Sequence, residues 1–220
     1  MTITNTTRMT LKAIQSGHTQ IKGVVFDMDG TLCKPQTWMF GQMRSALGLD
    51  KGIDLLTYVH SLPEKEQEEA QEILRKIERK AMVEMIPQPG LNQLMDYLDV
   101  KGIPKAICTR NFPVPVDHLL TSFLPEHTIG PIITRDFMPT KPHPAGILHI
   151  AEQWGISAKN IIMVGDSIDD MEAGDKAGAA TILIESDVND HIKDVLQTDV
   201  VVQRLDEIIF CIENGFDTKN

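Results

Sequence analysis

The chain has 220 residues, 42% of them hydrophobic and 24% charged, with a mean hydropathy of −0.12; this composition builds a core of ordinary globular size and excludes collagenous, disordered and disulfide-framework chains. Asp and Glu number 31 against 21 Lys and Arg, a net charge of −10, and that field argues against nucleic acid or an anionic membrane as the main partner. No apolar run approaches the roughly 18 residues that span a bilayer, and the scattered Cys33, Cys108 and Cys211 offer neither a disulfide framework nor zinc-ligand spacing, so a cytoplasmic monomer with reduced thiols is expected.

In chain order, residues 1–20 read as a frayed polar extension. Met1–Phe26 holds no acid but carries Arg8, Lys12 and Lys22, a faint likeness to a mitochondrial transit peptide. The first strand is Lys22–Asp27. From Gln36 to Ile86 no strand-like run follows; the best signal is a long helix opening at Ser61-Leu62-Pro63-Glu64, where Ser61 and Glu64 have capping-box spacing. Ala70, Ile73, Leu74, Ile77, Ala81 and Met85 then fall on one apolar stripe, with Glu72 and Lys76 spaced for an i,i+4 pair. After Pro87-Gln88-Pro89-Gly90, helices at Leu91–Val100, Val114–Leu124, Pro144–Trp154, Ile168–Ala177 and Leu205–Asn214 alternate with strands at Lys105–Thr109, Ile132–Thr134, Asn160–Asp166, Ala180–Ile184 and Asp199–Val202. This rhythm predicts an α/β fold with a doubly wound parallel sheet, its core made of residues 21–35 and 87–220, and a small helical cap over residues 36–86.

In such sheets ligands sit beyond the carboxyl ends of the strands. The first strand runs into Asp27-Met28-Asp29-Gly30-Thr31-Leu32, whose carboxylates two residues apart face one site. Carboxylates this close call for a cation or a proton between them. The strand at Asn160–Asp166 leads into Gly165-Asp166-Ser167-Ile168-Asp169-Asp170 and brings more acid to the same edge; an oxygen donor set of this kind suits Mg²⁺. Thr109-Arg110-Asn111 and Lys141-Pro142 supply hydroxyl, guanidinium, amide and ammonium groups. Together they describe a site for a phosphate dianion and a nucleophile that attacks it.

These four motifs, in this order, resemble those of the haloacid dehalogenase superfamily of aspartate-nucleophile phosphatases, and the segment after the first motif resembles its subfamily with a helical cap in that position, the group of phosphoglycolate phosphatases and phosphomutases. The resemblance runs from about Ile21 to the C-terminus. It implies a Rossmann-like core and a Mg²⁺-dependent phosphatase for a small phosphomonoester, with a sugar-phosphate mutase or a non-catalytic binding protein as alternatives. It implies Asp27 as nucleophile, Asp29 as acid and base, and Thr109 and Lys141 as binders of the phosphoryl oxygens. It also implies Asp27, Asp166, Asp170 and the backbone carbonyl of Asp29 as Mg²⁺ ligands, Asp170 directly or through water. Arg110, Asn111 and Trp38 of the cap are the expected substrate contacts, while Asp169 suits capping as well as metal binding. One departure is local: relatives with this cap often continue the first motif with Asp-Ser or Asp-Thr, whereas here Leu32 precedes Cys33-Lys34-Pro35-Gln36. That bears on the hinge and not on the core chemistry.

Overall fold

In the computed structural model, which describes residues 7–12, 17–50, 53, 55–192 and 198–219, the expected frayed extension instead contributes two strands. β1 (Thr7–Thr10) and β2 (His18–Gln20) pair in parallel, and β1 pairs antiparallel with a C-terminal strand, Phe216–Thr218. The guanidinium of Arg8 joins Asp217 at 3.0 Å and the Asn214 carbonyl at 2.9 Å. These strands are short, polar and without alternation, so their order comes from pairing with the far end of the chain, which no local pattern reports. Within the suggested transit peptide, residues 1–6 and 13–16 lie outside the described residues.

A second sheet carries the site. Its strands are β3 (Gly23–Phe26), β4 (Lys105–Cys108), β5 (Ile132–Ile133), β6 (Ile161–Gly165), β7 (Ala180–Ile184) and β8 (Val200–Val202), and Phe216–Thr218 is β9 of the smaller sheet. The order is β5-β4-β3-β6-β7-β8, with every neighbouring pair parallel. The expected fold class is therefore the observed one. Helices α1 (Trp38–Ala46), α2 (Leu55–Ser61) and α3 (Glu64–Val83) precede the core helices α4 (Leu91–Lys101), α5 (Pro113–Phe123), α6 (Ala145–Trp154), α7 (Ile168–Ala177) and α8 (Glu207–Asn214). Val24, Val25 and Phe26 are wholly buried, as a strand covered on both faces requires. Val25, Ala106, Ile147, Ile150 and Met163 share one apolar cluster with Trp154 packed against it. Burying each larger aliphatic side chain of this kind contributes roughly 1.5–3 kcal/mol.

At the opposite end of β4 from the site, the almost fully buried Lys105 ammonium pairs with Asp99, whose other oxygen lies 2.6 Å from His127 Nδ1. Partial burial would raise the Asp99 carboxyl, but the bonds from Lys105 and His127 prevail and hold it below the usual carboxylate range. The pair therefore contributes its stability above about pH 4 and loses it as pH falls further. Asp99→Ala leaves the buried ammonium unpaired; because Asp99 is 45% exposed and water replaces it in part, the expected cost is about 2 kcal/mol rather than the roughly 3–5 of a fully buried pair. Lys105→Met, which removes the charge instead, is expected to be near neutral. Urea unfolding midpoints check the order, and equal losses would contradict this account of the pair.

Contacts divide the chain into two units, Met1–Lys34 with Pro87–Asn220, and Pro35–Ile86. The second has its own core of Met43, Leu55, Val59, Ala70 and Leu74, joined by Leu62 and Ile77. Two local expectations fail there. Ser61 ends α2 and donates its hydroxyl to the Tyr58 carbonyl at 2.7 Å, while Pro63 occupies the N-cap of α3, so no capping box forms with Glu64. Glu72 pairs with Arg75 at 3.0 Å and Arg79 at 2.7 Å rather than with Lys76; the guanidinium donates in-plane to a carboxylate where an ammonium acts as a point charge.

Candidate active site

The chain leaves β3 for β4 and β5 on one side and returns to β6 on the other. The carboxyl ends of β4, β3 and β6 therefore flank the point where the connections diverge, the place for a ligand in an open α/β sheet. Asp27 extends β3 by one residue, its N–H donating to the Val164 carbonyl at 2.9 Å. A tight turn follows in which the Met28 carbonyl accepts from the N–H groups of Thr31, Leu32 and Cys33 at 3.2, 2.9 and 3.1 Å. Gly30 sits at φ +81°, and a Cβ there would collide with the Asp166 carboxylate. Both constraints require glycine. The buried Gln88 amide donates to the Gly30 carbonyl at 2.8 Å and pins the turn.

Against Asp27 stands Lys141, from the loop between β5 and α6. Its side chain is 4% exposed, and its ammonium donates to Asp27 Oδ1 at 2.6 Å and Asp170 Oδ1 at 2.5 Å. Asp170 is the third residue of α7 and completes a capping box: Ser167 Oγ accepts from the Asp170 N–H, while Asp170 Oδ2 accepts from the N–H and the hydroxyl of Ser167. Nearby, the buried Asn189 amide donates to the Asp166 carbonyl at 2.7 Å and the Ile184 carbonyl at 2.9 Å, tying the end of β6 to the end of β7. Sequence reasoning missed Gln88, Asn189 and the cap role of Ser167. The spacing of Ser167 and Asp170 was a usable signal for the last; the other two act across distances that no local pattern encodes.

Among the described residues one oxygen from each of Asp27, Asp166 and Asp170 lies within 4.8 Å of the others. Burial pushes Asp27 up, and the Asp170 and Asp29 charges add to this against the pull of Lys141; burial and the charges of Asp27 and Asp170 push Asp166 to about 8. The cluster is short of positive charge, and its donors are hard oxygens, so the residues fit a divalent cation such as Mg²⁺. Asp170 is the least available of the three, since Lys141 and the capping box already engage both its oxygens.

On the β4 side, the side chain of Thr109 is buried, and its Oγ accepts from the Asn111 N–H at 3.2 Å. The Asn111 amide donates to Asp29 Oδ2 at 2.7 Å. Asp29 is exposed to solvent yet ringed closely enough by protein for desolvation to hold it above the usual carboxylate range against the opposing hydrogen bond from Asn111. Arg110 pairs with Asp169 at 2.5 Å, linking the loop after β4 to the first turn of α7 across the end of β3. The structure thus brings Asp27, Asp29, Thr109, Arg110, Asn111, Lys141, Asp166 and Asp170 to one sheet edge. Trp38 belongs to the second unit, where the Lys80 ammonium lies 5.1 Å over its ring. Cys33 and Cys108 are buried, and burial pushes both thiols up, Cys108 to about 11. No helix among the described residues is long and apolar enough to cross a membrane.

A family model for haloacid dehalogenase-like hydrolases matches residues 21–178. An uncharacterized hydrolase of Saccharomyces cerevisiae is 50% identical over 206 residues, covering 90% of this chain and 94% of its own. A haloacid dehalogenase-like hydrolase domain-containing protein of Arabidopsis thaliana is 35% identical over 214 residues, covering 90% and 86%. A phosphoglycolate phosphatase of Shigella dysenteriae is 26% identical over 241 aligned positions, covering 86% and 91%. The solved structure of a predicted phosphoglycolate phosphatase from Haemophilus somnus shares the fold with a TM-score of 0.72 at 21% identity, over 88% of this chain and 99% of that one.

Proposed function

The chain belongs to the haloacid dehalogenase-like hydrolases, and on that premise we propose that it hydrolyses a small phosphomonoester through an aspartyl-phosphate on Asp27, with Mg²⁺ held by Asp27, Asp166 and the carbonyl of Asp29. The observation that carries this reading is the Lys141 ammonium set between Asp27 and Asp170 beside the Asp166 carboxylate. It supports the reading because a carboxylate, a fixed cation and hard oxygen donors lie together at the carboxyl end of β3.

When bound, the cation neutralises charge on the phosphoryl oxygens and on the carboxylates around it. The chain's own groups do the rest. Asp27 attacks phosphorus, forming a P–O bond to its carboxylate as the bond to the leaving oxygen breaks, and the Asp29 carboxylic acid gives its proton to that oxygen. In the second half Asp29 takes a proton from water as the water attacks phosphorus, which frees Asp27 and releases inorganic phosphate. Lys141 and the Thr109 hydroxyl bind the phosphoryl oxygens and counter the charge gathered there in the transition state. Asp170 keeps Lys141 in place, and because its own oxygens are engaged it would support a bound cation from the second rank rather than as a direct ligand. Arg110, beside the site on the loop after β4, contacts the non-reacting part of the substrate.

A phosphate-release assay over a broad panel of phosphomonoesters tests the reading. Sustained release with Mg²⁺ and its loss in excess EDTA are expected, with recovery when Mg²⁺ is returned. Full activity in EDTA would remove the metal from the account. Interconversion of sugar phosphates without net release would make the protein a mutase.

A further inference from the structure

We propose that Asn111 is a positioning residue for general-acid catalysis: its amide holds Asp29 in one rotamer and directs the transferable proton to Asp29 Oδ1. The inference rests on the phosphatase reading above and assigns Asn111 a task other than the substrate contact expected from the sequence. The orientation of the amide follows from its two partners. Asn111 Oδ1 accepts from the Phe112 N–H at 2.7 Å, and Nδ2 donates to Asp29 Oδ2 at 2.7 Å. A backbone N–H only donates and Asp29 Oδ2 accepts here, so only one of the two amide orientations satisfies both contacts.

The loop holding Asn111 is itself secured. The Asn111 N–H donates to Thr109 Oγ at 3.2 Å, its carbonyl accepts from the Arg135 N–H at 3.1 Å, and the Arg135 guanidinium stacks 4.1 Å over the Phe112 ring. With Oδ2 accepting from the amide, a proton on Asp29 belongs on Oδ1, which among the described residues meets a weak Cys33 thiol contact at 3.9 Å.

A neutral donor suits this position because Asp29 alternates between acid and carboxylate within one turnover. An amide N–H donates to either form, so the rotamer that delivers the proton is also the one that takes it back from water. A cation at the same place would favour the ionised form throughout. The adjacent cation, Arg110, pairs with Asp169 instead.

The test measures kcat/KM for an alkyl phosphate and a nitrophenyl phosphate, whose leaving groups do and do not need the proton, in wild type, Asn111→Ala, Asn111→Asp and Asp29→Asn. Asn111→Ala is expected to lose about 30-fold on the alkyl ester and less than about 3-fold on the aryl ester. Asn111→Asp keeps the side-chain shape but places an acceptor against Asp29, and is expected to lose at least as much on the alkyl ester. On the Asp29→Asn background, Asn111→Ala is expected to cost less than about 2-fold, because the group it positions has already lost its function. Equal losses on the two esters, a change confined to KM, or full additivity with Asp29→Asn would overturn the proposal and make Asn111 a substrate contact or a loop residue. If the wild type hydrolyses neither ester nor any other phosphomonoester, the phosphatase reading fails and takes this inference with it. If Asp29→Asn discriminates between the esters and Asn111→Ala does not, the inference fails alone.

Discussion

Asp27→Asn is expected to lower steady-state phosphate release below about 1% of wild type while leaving the unfolding midpoint unchanged or raised. The amide is nearly isosteric with the carboxylate but a poor nucleophile, and covalent catalysis of this kind supplies far more than a hundredfold. The stability sign follows from the surroundings. Asp27 is buried beside Asp29, Asp166 and Asp170 with Lys141 as its ion-pair partner, and its carboxyl is already pushed up by burial. Removing that negative charge lowers the repulsion among the remaining carboxylates and leaves Lys141 paired with Asp170. Residual turnover well above 1% would mean that a different group attacks phosphorus.

Lys141→Met is expected to lower kcat by about 10²–10³ and to destabilise the protein in the same experiment. The first magnitude is that of losing one preorganised charge at a developing anion. The second arises because Asp27 and Asp170 both lose the ammonium that contacts them. A buried pair broken from one side costs roughly 3–5 kcal/mol, less whatever proton uptake relieves. If Asp27 takes up that proton, the nucleophile is quenched, so the stability and rate effects share one cause. Adding Asp27→Asn to Lys141→Met is then expected to return part of the stability and none of the activity. A Lys141→Met enzyme within tenfold of wild type would show that the positive charge at the phosphoryl oxygens comes from elsewhere, with Arg110 the nearest alternative.

How much of this was legible follows from the range over which each interaction acts. β3 and β6 are buried on both faces and so read as continuous apolar runs, and their last residues deliver Asp27 and Asp166 by position alone. Lys141 touches Asp27 across 114 residues of sequence; only the motif order pointed to it. Asn111 reaches Asp29 across 82 residues, and nothing in a Thr-Arg-Asn triplet says which of its polar groups faces a carboxylate. Asp170 shows a different limit: its place in the carboxylate cluster was readable, but its occupation by Lys141 and the Ser167 cap emerges only when the loop after β5 meets α7. The strands β1 and β2 were missed because Thr-Arg-Met-Thr and His-Thr-Gln have no period to detect. The Ser61 cap was misplaced because Pro63, with its fixed φ, is better suited to the entry of α3.

The central claim, that phosphate passes through a bond to Asp27, is tested most directly by trapping that bond. Wild-type enzyme mixed with labelled substrate and quenched in acid within milliseconds is expected to retain label on the protein; borohydride reduction should convert residue 27 to homoserine, located by peptide mass spectrometry. No label should remain with Asp27→Asn. Burst-free hydrolysis without protein-bound phosphate, or label recovered on any residue other than Asp27, would contradict the account.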